Sequence, residues 1–209
     1  MKKNIFIYLI MIYGTCLLIS NILAFKLVSF LGLTITAATL VFPVTYILGD
    51  VFSEIYGFKK TKQIIIAGFV CNALMVIVFA IAILLPYPDS FTYQHEFELV
   101  LGNTPRILLA SLSAYLVGGI SNSYVLNYIK DKTKMEALWI RLFLSTIVGE
   151  FLDSLIFVTI GFIGKLTTIE IVIMIFSQAI IKITVEFVMI PVVEKVIAYV
   201  KKYEEKNEN

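Results

Sequence analysis

The sequence predicts an all-α membrane protein, with six transmembrane helices in one bundle and a single domain over residues 1–209. Three observations predict it. Hydrophobic residues make up 59% of the chain and charged residues 15%, where soluble domains hold about 45–50% and about 25%. Six apolar runs, 5–30, 33–56, 64–85, 105–129, 137–163 and 169–200, are each long enough to cross a membrane, which takes about 20 residues. The charged residues gather between these runs, and Lys and Arg concentrate in alternate connections.

The first run follows Lys2 and Lys3. It is too long for a cleaved signal and lacks an Ala-x-Ala site. Leu31-Gly32 supplies the turn into the second run, which contains Pro43. A proline removes one backbone N–H and clashes with the preceding turn, so a kink is expected there, close to Thr45, Asp50 and Glu54. Freed backbone groups are tolerated in a membrane where neighbours or a cavity satisfy them. The third run ends at Pro86-Tyr87-Pro88-Asp89, opening a loop that carries Glu96 and Glu98. On the fourth run Ala110, Ala114, Gly118 and Asn122 recur every four residues, a small-residue stripe that suits close helix packing. Gly164-Lys165 separates the fifth run from the sixth. The sixth is longer than one crossing, so its end near 194–202 is expected to emerge into water.

Basic residues set the orientation. They mark the N-terminus, Lys59, Lys60 and Lys62, then Lys130, Lys132 and Lys134, then Lys201, Lys202 and Lys206. The connection at Leu31-Gly32 and the acidic loop are read as having none, and the last connection has only Lys165. Both termini are expected to be cytoplasmic, in a multi-pass membrane protein.

Seven ionisable residues of the runs are the candidate intramembrane charges: Asp50, Glu54, Arg141, Glu150, Asp153, Lys182 and Glu186. Fully ionised, two positive and five negative charges leave a net of minus three. Ionisable groups at membrane depth are costly and by default mark a substrate or ion path. Either some acids hold protons or a cationic species visits them. Lys182 and Glu186, four residues apart, are expected to pair with each other. Glu54 and Arg141 lie near the cytoplasmic face, where they can reach water. Thr45-x3-Gly49-Asp50 and Ser145-x3-Gly149-Glu150 repeat at an offset of 100. That is compatible with a 3+3 inverted repeat, whose second and fifth spans would bring Asp50 near Glu150 and Asp153. Aromatic residues interleave with these acids, among them Tyr46, Tyr115 and Phe151, and one or two could stack on a flat solute. Asn21, Asn72 and Gln178 read as polar glue between helices.

Signals of catalysis are missing from the sequence. His95 is the only histidine, and it lies in the acidic loop, so neither HExxH nor a Ser-His-Asp set can form. No P-loop or CxxC is present. Cys16 and Cys71 fall inside apolar runs and are expected to be small buried hydrophobes, not a disulfide or a metal pair. No enzyme activity, cofactor or metal site is expected.

Several stretches together resemble the queuosine precursor transporters, also called the vitamin uptake transporter family. They are Phe42-Pro43-x-Thr45 with Asp50 and a basic loop; Arg106-Ile107, Ala110-Ser111 and Ala114-Tyr115; Trp139-x-Arg141; Ser145-Thr146, Gly149 and Asp153-Ser154; and Lys182. The resemblance runs from about 37 to 182. It implies six helices and import of 7-cyano- or 7-aminomethyl-7-deazaguanine, or queuine. Position 150 is Glu here, where an amide can stand in the family. The residue types suit such a base. Its adjacent N–H and NH2 donors match a carboxylate's two acceptor oxygens, and an aminomethyl cation would take a second acid. The candidate substrate or coupling residues are Asp50, Glu54, Glu150, Asp153, Arg141, Lys182, Thr45, Tyr115 and Ser145.

Three readings are compatible with the sequence. The first is an ion-coupled importer of a nucleobase-like solute. The second is the substrate-capture subunit of an ATP-driven vitamin uptake complex, and the third is a non-transporting membrane scaffold. The expected partners are the small solute and membrane lipid, with a homo-oligomer or an energising subunit left open and no nucleic acid.

Overall fold

The computed structural model describes residues 5–133 and 138–208. It consists of helix α1 (Ile5–Leu23), strands β1 (Leu27–Phe30) and β2 (Leu33–Thr36), a 3-10 turn (Ala37–Leu40), α2 (Phe42–Val51), a π-helical segment (Phe52–Tyr56), α3 (Gly57–Leu84), α4 (Gln94–Leu101), α5 (Thr104–Thr133), α6 (Leu138–Phe162) and α7 (Thr168–Glu208). Among the described residues, five helices are long and apolar enough to cross a membrane: α1, α3, α5, α6 and α7. The chain divides into two compact units. One holds Met1–Lys26, Ala37–Thr104 and Val185–Asn209, and the other Leu27–Thr36 and Pro105–Thr184.

The second expected span, 33–56, is not one long helix, and the first ends at Leu23, not at residue 30. Between them β1 and β2 form an antiparallel hairpin with Leu27 opposite Thr36 and Phe30 opposite Leu33. Leu31 and Gly32, at φ 50 and 80, make the two-residue turn, since positive φ at both central positions matches the twist of paired strands. The sequence here is rich in β-branched residues, Thr34, Ile35 and Thr36, which fit a pleated strand better than a helix. An apolarity window cannot see that difference. Lys26 consequently lies beyond the end of α1, so this connection does carry a basic residue. Pro43 also differs from expectation. It sits in the first turn of α2, where the missing N–H would have no partner anyway, and so it opens the helix instead of kinking it.

In the first unit α1 and α3 run parallel. Phe6 packs on Tyr56 with ring centroids 4.3 Å apart, and the Lys60 ammonium lies 5.6 Å from the Phe6 ring. Further along, Gly68 lies against Leu17 and Asn72 accepts a hydrogen bond from Asn21. Residue numbers thus rise together on the two helices. Between them the leg 42–56 runs the other way. Leu48, Phe52, Tyr13 and Ile64 share a buried cluster with Tyr56 packed against it, and Phe52 meets both Tyr13 at 5.6 Å and Phe6 at 6.3 Å. The cysteines are free. Cys71, expected to be buried, is exposed on the surface of α3, where a bilayer would cover it.

In the second unit α5 and α6 are antiparallel along the small-residue stripe. Gly161 faces Ile107 and Ala110, Gly118 faces Asp153, and Gly149 faces Asn122. A β-carbon at Gly118 would lie 2.9 Å from that of Asp153, and one at Gly149 would lie 2.8 Å from that of Asn122, so only glycine permits this approach. Arg106 closes the end of α6. Its Nε donates to the Ile160 carbonyl at 2.6 Å and its guanidinium also reaches the Ile163 carbonyl, where a helix leaves unsatisfied acceptors. Gly164, at φ 79, turns the chain. Thr167 and Glu170 then start α7 as a reciprocal cap: the Thr167 N–H donates to Glu170 Oε2 at 2.8 Å, and the Glu170 N–H lies 3.4 Å from Thr167 Oγ1.

Candidate functional site

The turn at 163–167 makes α6 and α7 an antiparallel pair, and that register places Lys182 opposite the acids of α6. Lys182 is 5% exposed. Its ammonium forms an ion pair with Asp153 Oδ2 and lies 3.5 Å from Glu150 Oε2. Glu150 and Asp153, three residues apart, share a helix face. The close approach of α5 at Gly118 fixes the backbone at Asp153 from the other side. Two partners of Lys182 are therefore on α6, across from its own helix. A pair across helices leaves no spacing signature in the sequence.

Fully ionised, the three groups carry one positive and two negative charges, a net of minus one. Burying ions costs several kcal/mol each unless pairing and hydrogen bonds offset it.

More polar groups surround this trio. Ser154 follows Asp153 and is 0% exposed, and Gln178, one turn before Lys182, is 1% exposed. An antiparallel register that sets 150 opposite 182 also sets 154 opposite 178. Among the described residues neither Ser154 Oγ nor either polar atom of the Gln178 amide has a hydrogen-bond partner, and Asn122 Oδ1 on α5 is buried in the same condition. Native proteins leave few buried polar groups unpaired, and each exception calls for a reason. Gln178 and Asn122 read as packing contacts in the sequence, and Ser154 entered only through the family pattern. Only burial singles them out.

The remaining candidates are distributed as follows. Ser145 is buried on α6 and Tyr115 is half-exposed on α5. Thr45 donates to the Phe42 carbonyl at 2.8 Å, a bond within its own helix turn. Asp50 lies exposed on α2 with no ion pair or hydrogen bond among the described residues. Glu54 forms a surface pair with Lys201 at 2.8 Å, the two side chains 57% and 46% exposed. Beside it the Tyr56 hydroxyl donates to Glu204 Oε1 at 2.7 Å, so the π-helical segment is tied to the end of α7 at two points. Sequence reading missed this tie because its partners lie 147 and 148 residues apart. The side chain of Arg141 lies outside the described residues.

Long apolar helices with a buried, charge-linked polar cluster between two of them define an integral membrane protein of the solute-transporter class. The family model described as "Putative vitamin uptake transporter" matches residues 36–196, and the chain belongs to that family, one of transporters and not of enzymes. The chain is also similar to the "Probable queuosine precursor transporter" of Bacillus subtilis (strain 168), at 26% identity over 164 residues, 78% of this chain and 70% of the relative. No solved structure matches it.

Proposed function

We propose that this chain imports a queuosine precursor, a 7-cyano- or 7-aminomethyl-7-deazaguanine or queuine, across a bacterial cell membrane, with uptake coupled to a cation. The observation that carries the reading is the buried Lys182 held between Glu150 and Asp153. The name of the Bacillus relative supports the substrate class. Asp153 anchors Lys182. Glu150, at the longer distance, keeps acceptor capacity for the exocyclic amino group of the base. The two acids also offer acceptor oxygens to the coupling proton or the aminomethyl cation.

The same reading includes six crossings. Parallel α1 and α3 need a return leg, and 42–56 is that leg. Its ten α-helical and five π-helical residues cover about 22 Å at 1.5 Å per residue, and 37–41 extends it toward the hydrocarbon thickness of about 30 Å. The lysine-rich ends then share the cytoplasmic face.

The test is uptake of labelled 7-deazaguanine bases into bacterial cells lacking their own importer, with and without a proton gradient. Uptake by the wild type and its loss in Asp153→Asn at equal membrane abundance are expected. Equal uptake by both would defeat the proposed site, and no uptake by the wild type would defeat the substrate assignment.

A further inference from the structure

The trio of Glu150, Asp153 and Lys182 cannot read a lactam by itself. Ionised carboxylates only accept hydrogen bonds, and the Lys182 ammonium is engaged by both acids. A deazaguanine base also presents a ring carbonyl, which needs a donor, beside a ring N–H, which needs an acceptor. One side chain in the second unit offers both together: the Gln178 amide, one turn from Lys182, 1% exposed, with Nε2 and Oε1 both lacking partners among the described residues.

We infer that Gln178 is the specificity-determining residue of this site. Its Nε2 donates to the ring carbonyl of the base, and its Oε1 accepts from the adjacent ring N–H. Ser154, 0% exposed with its hydroxyl similarly unengaged, supplies a second donor to the carbonyl. The inference rests on the transport reading above and deepens it, because it assigns the lactam edge to α7 and leaves the amino edge to the acids of α6. A site built to pair with a polar substrate edge rejects an analogue lacking that edge far more strongly than an apolar pocket does, since its own groups are then stranded.

The experiment measures uptake of the labelled base with two competitors, the unlabelled lactam base and its analogue with hydrogen in place of the ring carbonyl oxygen. The wild type should favour the lactam competitor. Gln178→Met keeps the volume and removes both hydrogen-bonding atoms. It should raise KM for the lactam base about 10-fold or more and collapse the discrimination between competitors, while melting no lower than the wild type. Gln178→Asn, with the amide drawn back by one methylene, should weaken discrimination in the same direction and serves if the Met variant is poorly made. Gln178→Glu keeps acceptors but loses the donor, and should also lose the lactam preference. A structural role alone would lower protein abundance without changing the competitor ratio. Unchanged KM and ratio in the Met variant, or in the Asn variant if only that is obtained, overturn the inference while wild-type uptake upholds the transport reading. Absence of wild-type uptake overturns both.

Discussion

Lys182 holds two carboxylates that would otherwise face each other in a medium with little water. Removing one partner of a buried ion pair costs roughly 3–5 kcal/mol, because it strands an uncompensated charge. Lys182→Met should therefore destabilise the protein by about that amount, read as a lower melting temperature and lower folded yield in detergent. Adding Asp153→Asn to Lys182→Met removes one stranded charge, so the double variant should recover yield without recovering uptake. Asp153→Asn alone leaves Lys182 paired with Glu150, and the protein should fold while uptake drops about 10-fold or more, the worth of a charged hydrogen bond. Glu54→Gln provides the contrast. Its pair with Lys201 is largely in solvent, and such pairs contribute about 0–1 kcal/mol, so uptake in this variant should fall less than in Asp153→Asn. The sequence identified Glu150, Asp153 and Lys182 as costly intramembrane charges, which composition and run length suffice to show. It could not bring these three together, since the i, i+4 rule offers Lys182 only Glu186 and the partners on α6 come from tertiary packing.

The contact of α5 with α6 locates the acids, and it depends on two glycines. Gly118→Val would put side-chain atoms into Asp153, and overpacking of this kind costs typically about 1–3 kcal/mol. The helices would separate, shifting Asp153 from Lys182, so both uptake and melting temperature should fall. Gly119→Ala is the matched control. A β-carbon there meets nothing within 4 Å, and alanine is the better helix former by about 1 kcal/mol, so uptake should hold and the melting temperature should stay level or rise. Equal losses in both variants would show that the contact is not what matters. This stripe was legible because a four-residue repeat of small side chains has few other uses on an apolar helix. The hairpin at 27–36 was not, because short strands this apolar and a membrane helix look alike in a hydropathy window, and the signals against a helix were the β-branched content of 33–36 and the Leu31-Gly32 turn. Leu31, in left-handed conformation and 87% exposed, carries strain of roughly 1–2 kcal/mol. Leu31→Gly should relieve part of it and raise the melting temperature.

Across the whole chain, the number of crossings turns on the leg 24–56. Among the described residues five helices are long and apolar enough to span, and five crossings would put the start of α3 on the face opposite the N-terminus. The packing in the first unit opposes that. Phe6 at the start of α1 meets Tyr56, the residue before α3, and Lys60 in the first turn of α3, and Asn21 near the end of α1 meets Asn72 well along α3. Parallel neighbours that enter the membrane from the same side need a leg that brings the chain back, as the proposed six crossings have it. The distribution of lysines asks for the same result, since Lys59, Lys60 and Lys62 belong with Lys2 and Lys3 under the positive-inside bias. Lys26, just past α1, weakens that bias by one residue and does not reverse it. The two topologies separate cleanly in intact cells. With Cys16 and Cys71 replaced by Ala, single cysteines are introduced as Leu31→Cys at the hairpin turn, Lys60→Cys and Asp89→Cys, and treated with a membrane-impermeant thiol reagent from outside. Six crossings with a cytoplasmic N-terminus predict labelling at 31 and 89 and protection at 60. A returning leg that never reaches the cytoplasm predicts labelling at 31 and 60 with protection at 89. That second pattern would overturn the six-crossing topology and, with it, the cytoplasmic placement of the lysine-rich ends.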